Sequence, residues 1–154
     1  MAAFWPGAGI AVGLSIVFGR NARLAIFAAI AIATIASGLI VGRSPWLAFA
    51  LGPINAGHAL ITAWLVERWF NRPFAFDDVR HVLGFVAAAC FGAAVCGVGG
   101  AAATTLLRTV APFSEVSRAW FLSDVVGIVV VAPLLIGLAQ LWRERPSDGE
   151  WIEG

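Results

Sequence analysis

Apolar residues along this chain gather into five blocks separated by short polar breaks, and each block is as long as a membrane-crossing helix or nearly so. The first runs from about Trp5 to Gly19, is the shortest, and is closed by Arg20 and Arg23. The second, Leu24 to about Val41, is almost all Ala and Ile and ends in Gly42, Arg43, Ser44 and Pro45. The third runs from Trp46 to about Phe70, with aromatic residues at both ends as at a membrane–water boundary, and leads into the charged loop ERWFNRPFAFDDVR, 67–80, which reads as a solvated connection with its aromatic residues at the interface. The fourth extends from about His81 to Leu107. A loop over 108–118 carrying Pro112 and Glu115 precedes the fifth, about Ala119 to Trp142. The expected fold class is therefore all-α, a polytopic transmembrane helix bundle of about five spans. Residues 4–142 form the membrane-embedded domain and 143–154 a short cytoplasmic tail or linker.

Finer patterning assigns faces to these helices. Pro6 suits the first turn of a helix, where its missing N–H is not needed, and Trp5 suits the interface. Gly9 and Gly13 form a GxxxG pair that lets a neighbour approach. Because the first block is short, its Trp-Pro-Gly entry reads as re-entrant or partly unwound, shielded by protein. Ala25, Ala29, Ala33 and Ser37 make a small-residue ridge on the second helix. Pro53 predicts a kink in the third. Just beyond it Asn55 and Thr62 project within ~20° of each other and His58 about 60° away, a polar stripe on an apolar helix. Two small-residue ridges mark the fourth block: Gly84, Ala88, Gly92, Cys96, Gly100 and Thr104, beside Ala89, Ala93, Gly97, Ala101 and Thr105. They imply close neighbours on two sides and a central position.

Composition sharpens the class. Of 154 residues 60% are hydrophobic and 12% charged, and the mean hydropathy is +0.89, values of an integral membrane protein. A net charge of +1, with no contiguous basic patch, excludes nucleic acid as a partner. All ten basic residues are Arg. With five spans, seven fall on one side (Arg20, Arg23, Arg68, Arg72, Arg80, Arg143, Arg145) and three on the other (Arg43, Arg108, Arg118). The arginine-rich side should be cytoplasmic, which puts the N-terminus outside and the C-terminus inside. The expected partners are the lipid bilayer, and a homodimer or output-domain partner. The two cysteines, Cys90 and Cys96, lie on roughly opposite sides of one helix and read as small packing residues.

Candidate chemistry centres on WFLSDVVGIVVVAPLL, 120–135, where Asp124 stands inside an apolar helix. A carboxylate there costs about 2.5–3.5 kcal/mol at mid-membrane, so it faces protein or water. It is either a pin to a neighbouring helix or a ligand- or proton-responsive group. Placing the start of the fifth span at Ala119 sets Asp124 only ~6–9 Å below the outer surface. At that depth it can meet Asn55, with the Trp5–Gly9 entry close by. The candidate signal-pocket residues are Trp5, Pro6, Gly9, Asn55, His58, Thr62 and Asp124; Gly92, Gly100, Gly127 and Pro133 are structural. Interhelical hydrogen bonding is the plainer account of the polar stripe. No catalytic residue is assigned: Ser123 beside Asp124 lacks the arrangement of a nucleophile and its base. The Gly-rich text of the fourth block has neither the Lys nor the preceding strand of a phosphate loop. His58 and His81, ~18 Å apart along the axis, cannot both ligate one haem. Neither a metal nor a cofactor is expected. His81 reads as a surface histidine.

Three segments carry a family resemblance. FWPGAGIAVGLSIVFGR resembles the Trp-Pro-x-Ala-Gly-Ile opening of the type-one membrane-associated sensor (MASE) domain. GPINAGHALITAWLVER is similar to its Gly-Asn-x-x-Glu-Ala-x-x-x-x-Trp-Leu segment, and FLSDVVGIVVVAPLL to its Gly-Asp-x-x-Gly-x-x-x-x-x-Pro close. The match runs from about Phe4 to Trp142. By resemblance Trp5, Pro6, Gly9, Asn55, Asp124, Gly127 and Pro133 carry over, while His58 stands about where the family commonly has Glu and Ser123 replaces a Gly. The resemblance implies a non-enzymatic signal-input domain of the bacterial inner membrane, ahead of a histidine kinase, a diguanylate cyclase of cyclic-di-GMP signalling, or a PAS domain. The family normally has another apolar segment before the Trp-Pro motif and an output domain after the last helix, so the expectation is a truncated or stand-alone sensor or a fragment. The residues alone also allow a small transporter- or channel-like bundle, with Asp124, Asn55 and His58 along a solute path.

Overall fold

The computed structural model describes residues 4–70, 73–107 and 112–143. Five α-helices follow in order: α1 (Pro6–Phe18), α2 (Arg23–Ile40), α3 (Pro45–Trp69), α4 (Val79–Leu107) and α5 (Phe113–Arg143), with a single 3-10 turn over Arg20–Ala22. No strand occurs among the described residues. Among the described residues four helices are long and apolar enough to cross a membrane. The fifth, α1, has 13 residues and reaches about 20 Å, short of a ~30 Å hydrocarbon core. The expected all-α membrane bundle is thus present, and the first span is the short one, as its sequence suggested.

Helix ends fall where the local chemistry requires. Pro6 and Pro45 occupy first turns, where a proline lacks no needed donor. Gly19 (φ 70°) and Gly42 (φ 75°) close α1 and the turn after α2 in the left-handed region that side chains disfavour. α5 departs from expectation at its start. It begins at Phe113, directly after Pro112, with Glu115 in the first turn, so residues 113–118 are helical rather than loop. A proline just ahead and an acid at the positive end of the helix dipole are sufficient cause.

Four helices form a ring in which α1 touches α3 and α5, and α4 touches α3 and α5; α2 lies outside, mainly against α3. The prediction that α4 has close neighbours on both sides holds: a Cβ at Gly92 would meet Thr62 of α3, and one at Gly97 would lie 2.9 Å from the Ser117 carbonyl of α5. Its expected central place is shared, because α1 and α3 touch more helices than α4 does. In α2 only Gly38 is buried. Its Ala25–Ala29–Ala33–Ser37 ridge is exposed. α3 is met instead by Ala31, Ile35 and Gly38, set against Gly52 and Ala48. Many large apolar side chains point outward, among them Leu24, Ile32, Ile40, Leu106 and Leu134, a surface matched to acyl chains.

The loop before α4 is not a solvated connection. Phe74 is buried and joins the core with Phe85. Its ring also lies 5.6 Å from Phe70 and 5.1 Å from Phe76. His81, expected at the surface, is half-buried and meets Phe70 edge-on at 4.8 Å. At this same end Glu67 pairs with Arg23, and with Arg20 at 3.5 Å. Gln140 donates to the Phe74 carbonyl and Arg143 to the Val17 carbonyl. Residues 144–154, where the expected tail lies, and Arg72, Arg108 and Arg145 of the arginine count are outside the described residues.

Candidate functional site

Asn55, His58, Cys96 and Asp124 come from three helices and stand at nearly one level. Counting 1.5 Å per residue from the end that carries Trp46 and Phe113, Asn55 lies about 15 Å along α3, Cys96 and Asp124 about 17 Å along α4 and α5, and His58 about 20 Å along α3. That is near mid-depth of a ~30 Å core. The shallower depth expected for Asp124 came from starting α5 at Ala119. With the helix beginning at Phe113, Asp124 sits deeper and in step with the α3 stripe.

Burial here is nearly complete: His58 is 1% exposed, Asp124 3%, Asn55 7%, and Thr62 and Cys96 are sealed. Two of these groups bond their own helix. Thr62 Oγ1 donates to the His58 carbonyl at 2.9 Å, and Asn55 Nδ2 to the Leu51 carbonyl at 3.2 Å. This is the back-bonding that lets short polar side chains sit inside helices. Between helices, Cys96 Sγ meets Asn55 Oδ1 at 3.8 Å and also hydrogen-bonds the Asp124 carboxyl. Neither ring nitrogen of His58 is hydrogen-bonded, nor is Asp124 Oδ2. The donor atoms of His58, Cys96 and Asp124 all lie within 4.8 Å of one another. Cys96, which the sequence presents as one more small residue on a packing ridge, is a residue of this cluster that sequence reasoning missed.

Above this cluster a cavity of about 280 Å³ extends toward the helix ends at Val41 and Arg43. Asn55, Ser123, Asp124 and Trp120 line its depth, Trp5 one side, and Thr34, Ser37, Gly38 and Val41 of α2 the other, with Arg43 supplying a cation. Trp5, Asn55 and Asp124 therefore share one cavity. His58 and Thr62 lie beneath it and outside its lining, while Pro6 and Gly9 serve to set Trp5 in place.

How they do so explains the spacing of two sequence motifs. Trp5 is extended, not helical, and its N–H donates to the Ser123 carbonyl at 3.4 Å. Its own carbonyl rests against Gly127, where a Cβ would collide with it. One turn into α1, a Cβ at Gly9 would strike the Gly127 carbonyl and come within 2.6 Å of Val131 Cβ. The Trp-Pro-x-x-Gly entry and the Asp-x-x-Gly stretch are two halves of one close crossing, made possible by glycine on both sides. Gly92 and Gly100 likewise face neighbours, Thr62 and the Trp120 ring respectively. Pro133 lies inside a continuous α5.

A family model described as MASE1 matches residues 1–153. No curated protein and no solved structure matches the chain.

Proposed function

The chain belongs to the MASE1 family of membrane-associated sensor domains, and from that premise we propose that it is a signal-input module of the bacterial inner membrane. It perceives its stimulus in the cavity bounded by Trp5, Asn55, Trp120 and Asp124 and passes the change to a cytoplasmic output module. Its C-terminal end faces the cytoplasm and the cavity the opposite side. The domain performs no catalysis; any chemistry belongs to the output module or to a partner.

What carries this reading is the joint between α1 and α5. The residues that close the cavity, Trp5 and Ser123, are the residues that bond the two helices. Anything that fills the cavity against the Trp5 indole or the Asp124 carboxyl bears directly on that joint. α5 then continues without a break to Arg143 at the far end, so a small shift at the joint is carried along one rigid element.

The test is a chimera joining this chain to a diguanylate cyclase, with cyclic-di-GMP output as readout. Trp5→Ala, Asn55→Ala and Asp124→Asn should each change output at normal membrane abundance. The Asn55–Asp124 double variant should depart from additivity, since the two side chains share one cavity. Unchanged output in all three singles would remove the cavity from the sensing role. A substrate-driven flux through liposomes holding the chain alone would favour the transporter-like reading instead.

A further inference from the structure

We propose that His58, Cys96 and Asp124 form a binding site for a divalent transition-metal ion of the zinc class, at mid-membrane beneath the cavity. The three side chains come from three helices, and their donor atoms already lie within 4.8 Å of one another. Tetrahedral coordination at metal–ligand lengths of 2.0–2.3 Å separates neighbouring donors by about 3.3–3.6 Å. Adjustments of about 1 Å within ordinary side-chain torsions therefore close the site.

Two independent observations point to an occupant rather than to packing. His58 is 1% exposed, yet neither of its ring nitrogens is hydrogen-bonded, and Asp124 Oδ2 is also without a partner. A buried polar group in that condition is costly, most of all His58, which lies outside the cavity lining. The backbone of Asn55, one turn back, interacts with the His58 ring; with one nitrogen on a metal, the other has there the kind of backbone partner that metal-bound histidines favour.

The donor set also suits the surroundings electrostatically. A dication in hydrocarbon is forbidding, but a thiolate and a carboxylate together cancel its charge, and the imidazole adds none. One nitrogen, one sulfur and one oxygen donor match zinc better than magnesium or calcium, which take oxygen alone. The fourth position falls to Asn55 Oδ1, 3.8 Å from Cys96 Sγ, or to a water from the cavity, whose lining includes both Asn55 and Asp124. Binding releases whatever protons the thiol and carboxyl carry, so affinity rises with pH.

Metal binding goes beyond the sensing role and stands whether or not the ion is the stimulus. The experiment is anaerobic titration of the purified full chain, in detergent, with Co²⁺ as spectroscopic probe. One equivalent should give a thiolate-to-cobalt charge-transfer band together with the visible bands of a tetrahedral site, and one equivalent of Zn²⁺ should abolish both. Cys96→Ser, nearly isosteric, should lose the charge-transfer band, whereas Cys90→Ser should keep it. His58→Gln and Asp124→Asn should each weaken Co²⁺ binding by more than the roughly 10–100-fold that loss of an outer-shell partner costs. A parent chain without the band, or a band that survives in Cys96→Ser, overturns the site. Should either ligand variant fail to fold, parent and cysteine variants still decide the matter. A chimera that is blind to its stimulus but binds cobalt would remove the cavity reading and leave the metal site intact.

Discussion

At the scale of single residues, glycines mark where helix backbones meet. Gly127 faces the Trp5 carbonyl and Gly92 faces Thr62, whereas Gly137 has nothing within 4 Å of where its Cβ would stand. Gly127→Ala and Gly92→Leu should therefore overpack the bundle and cost about 1–3 kcal/mol. Gly137→Ala should be neutral or stabilising by up to ~1 kcal/mol, through helix propensity alone. Thermal unfolding in detergent checks all three, and equal melting points would mean that these helices do not touch. The same scale shows what the sequence could and could not disclose about the site. Asn55, His58 and Asp124 were legible because a polar side chain inside an apolar run has few reasons to be there. Cys96 was not, because a thiol among glycines and alanines is sterically one of them, and only the meeting of three helices reveals what it faces.

Among the elements, apolar runs bounded by Gly, Pro or Arg placed α1 to α4 within a residue or two. The start of α5 escaped because its first turn, Phe113–Arg118, is amphipathic rather than apolar, and a polar first turn reads as loop until the helix is seen. The segment before α4 misled for the opposite reason. Its charges are conspicuous, but Phe74 turns inward between Phe70, Phe76 and Phe85 and joins the core of the bundle. Phe74→Ala should cost roughly 3–5 kcal/mol, as for other core aromatics, while Phe91→Ala, on the exposed face of α4, should cost far less. Thermal melts of the two variants side by side measure the difference, and a mild Phe74 variant would place the loop outside the core.

Over the whole molecule, the ends of the helices sort by charge. Arg20, Arg23, Glu67 and Arg143 gather at one end, where Arg143 also reaches the Val17 carbonyl; Trp46 and Phe113 stand at the other, with Trp5 further in against Ser123. The arginine-rich end is expected in the cytoplasm. Reporters active on one side only, fused after Arg23, Arg43 and Gly154, should report inside, outside and inside. A periplasmic signal after Gly154 would invert the orientation, and the cavity would then open to the cytoplasm.

The outer position of α2, packed mainly on α3, has one more consequence. This helix supplies Thr34, Ser37, Gly38 and Val41 to the cavity wall, yet buries only Gly38, so hydrocarbon lies directly behind that wall. A stimulus entering past it arrives from the acyl chains and not from the aqueous phase. Its concentration at the cavity is then the aqueous concentration multiplied by a partition coefficient, and two molecules of identical fit can differ in potency by their oil solubility alone.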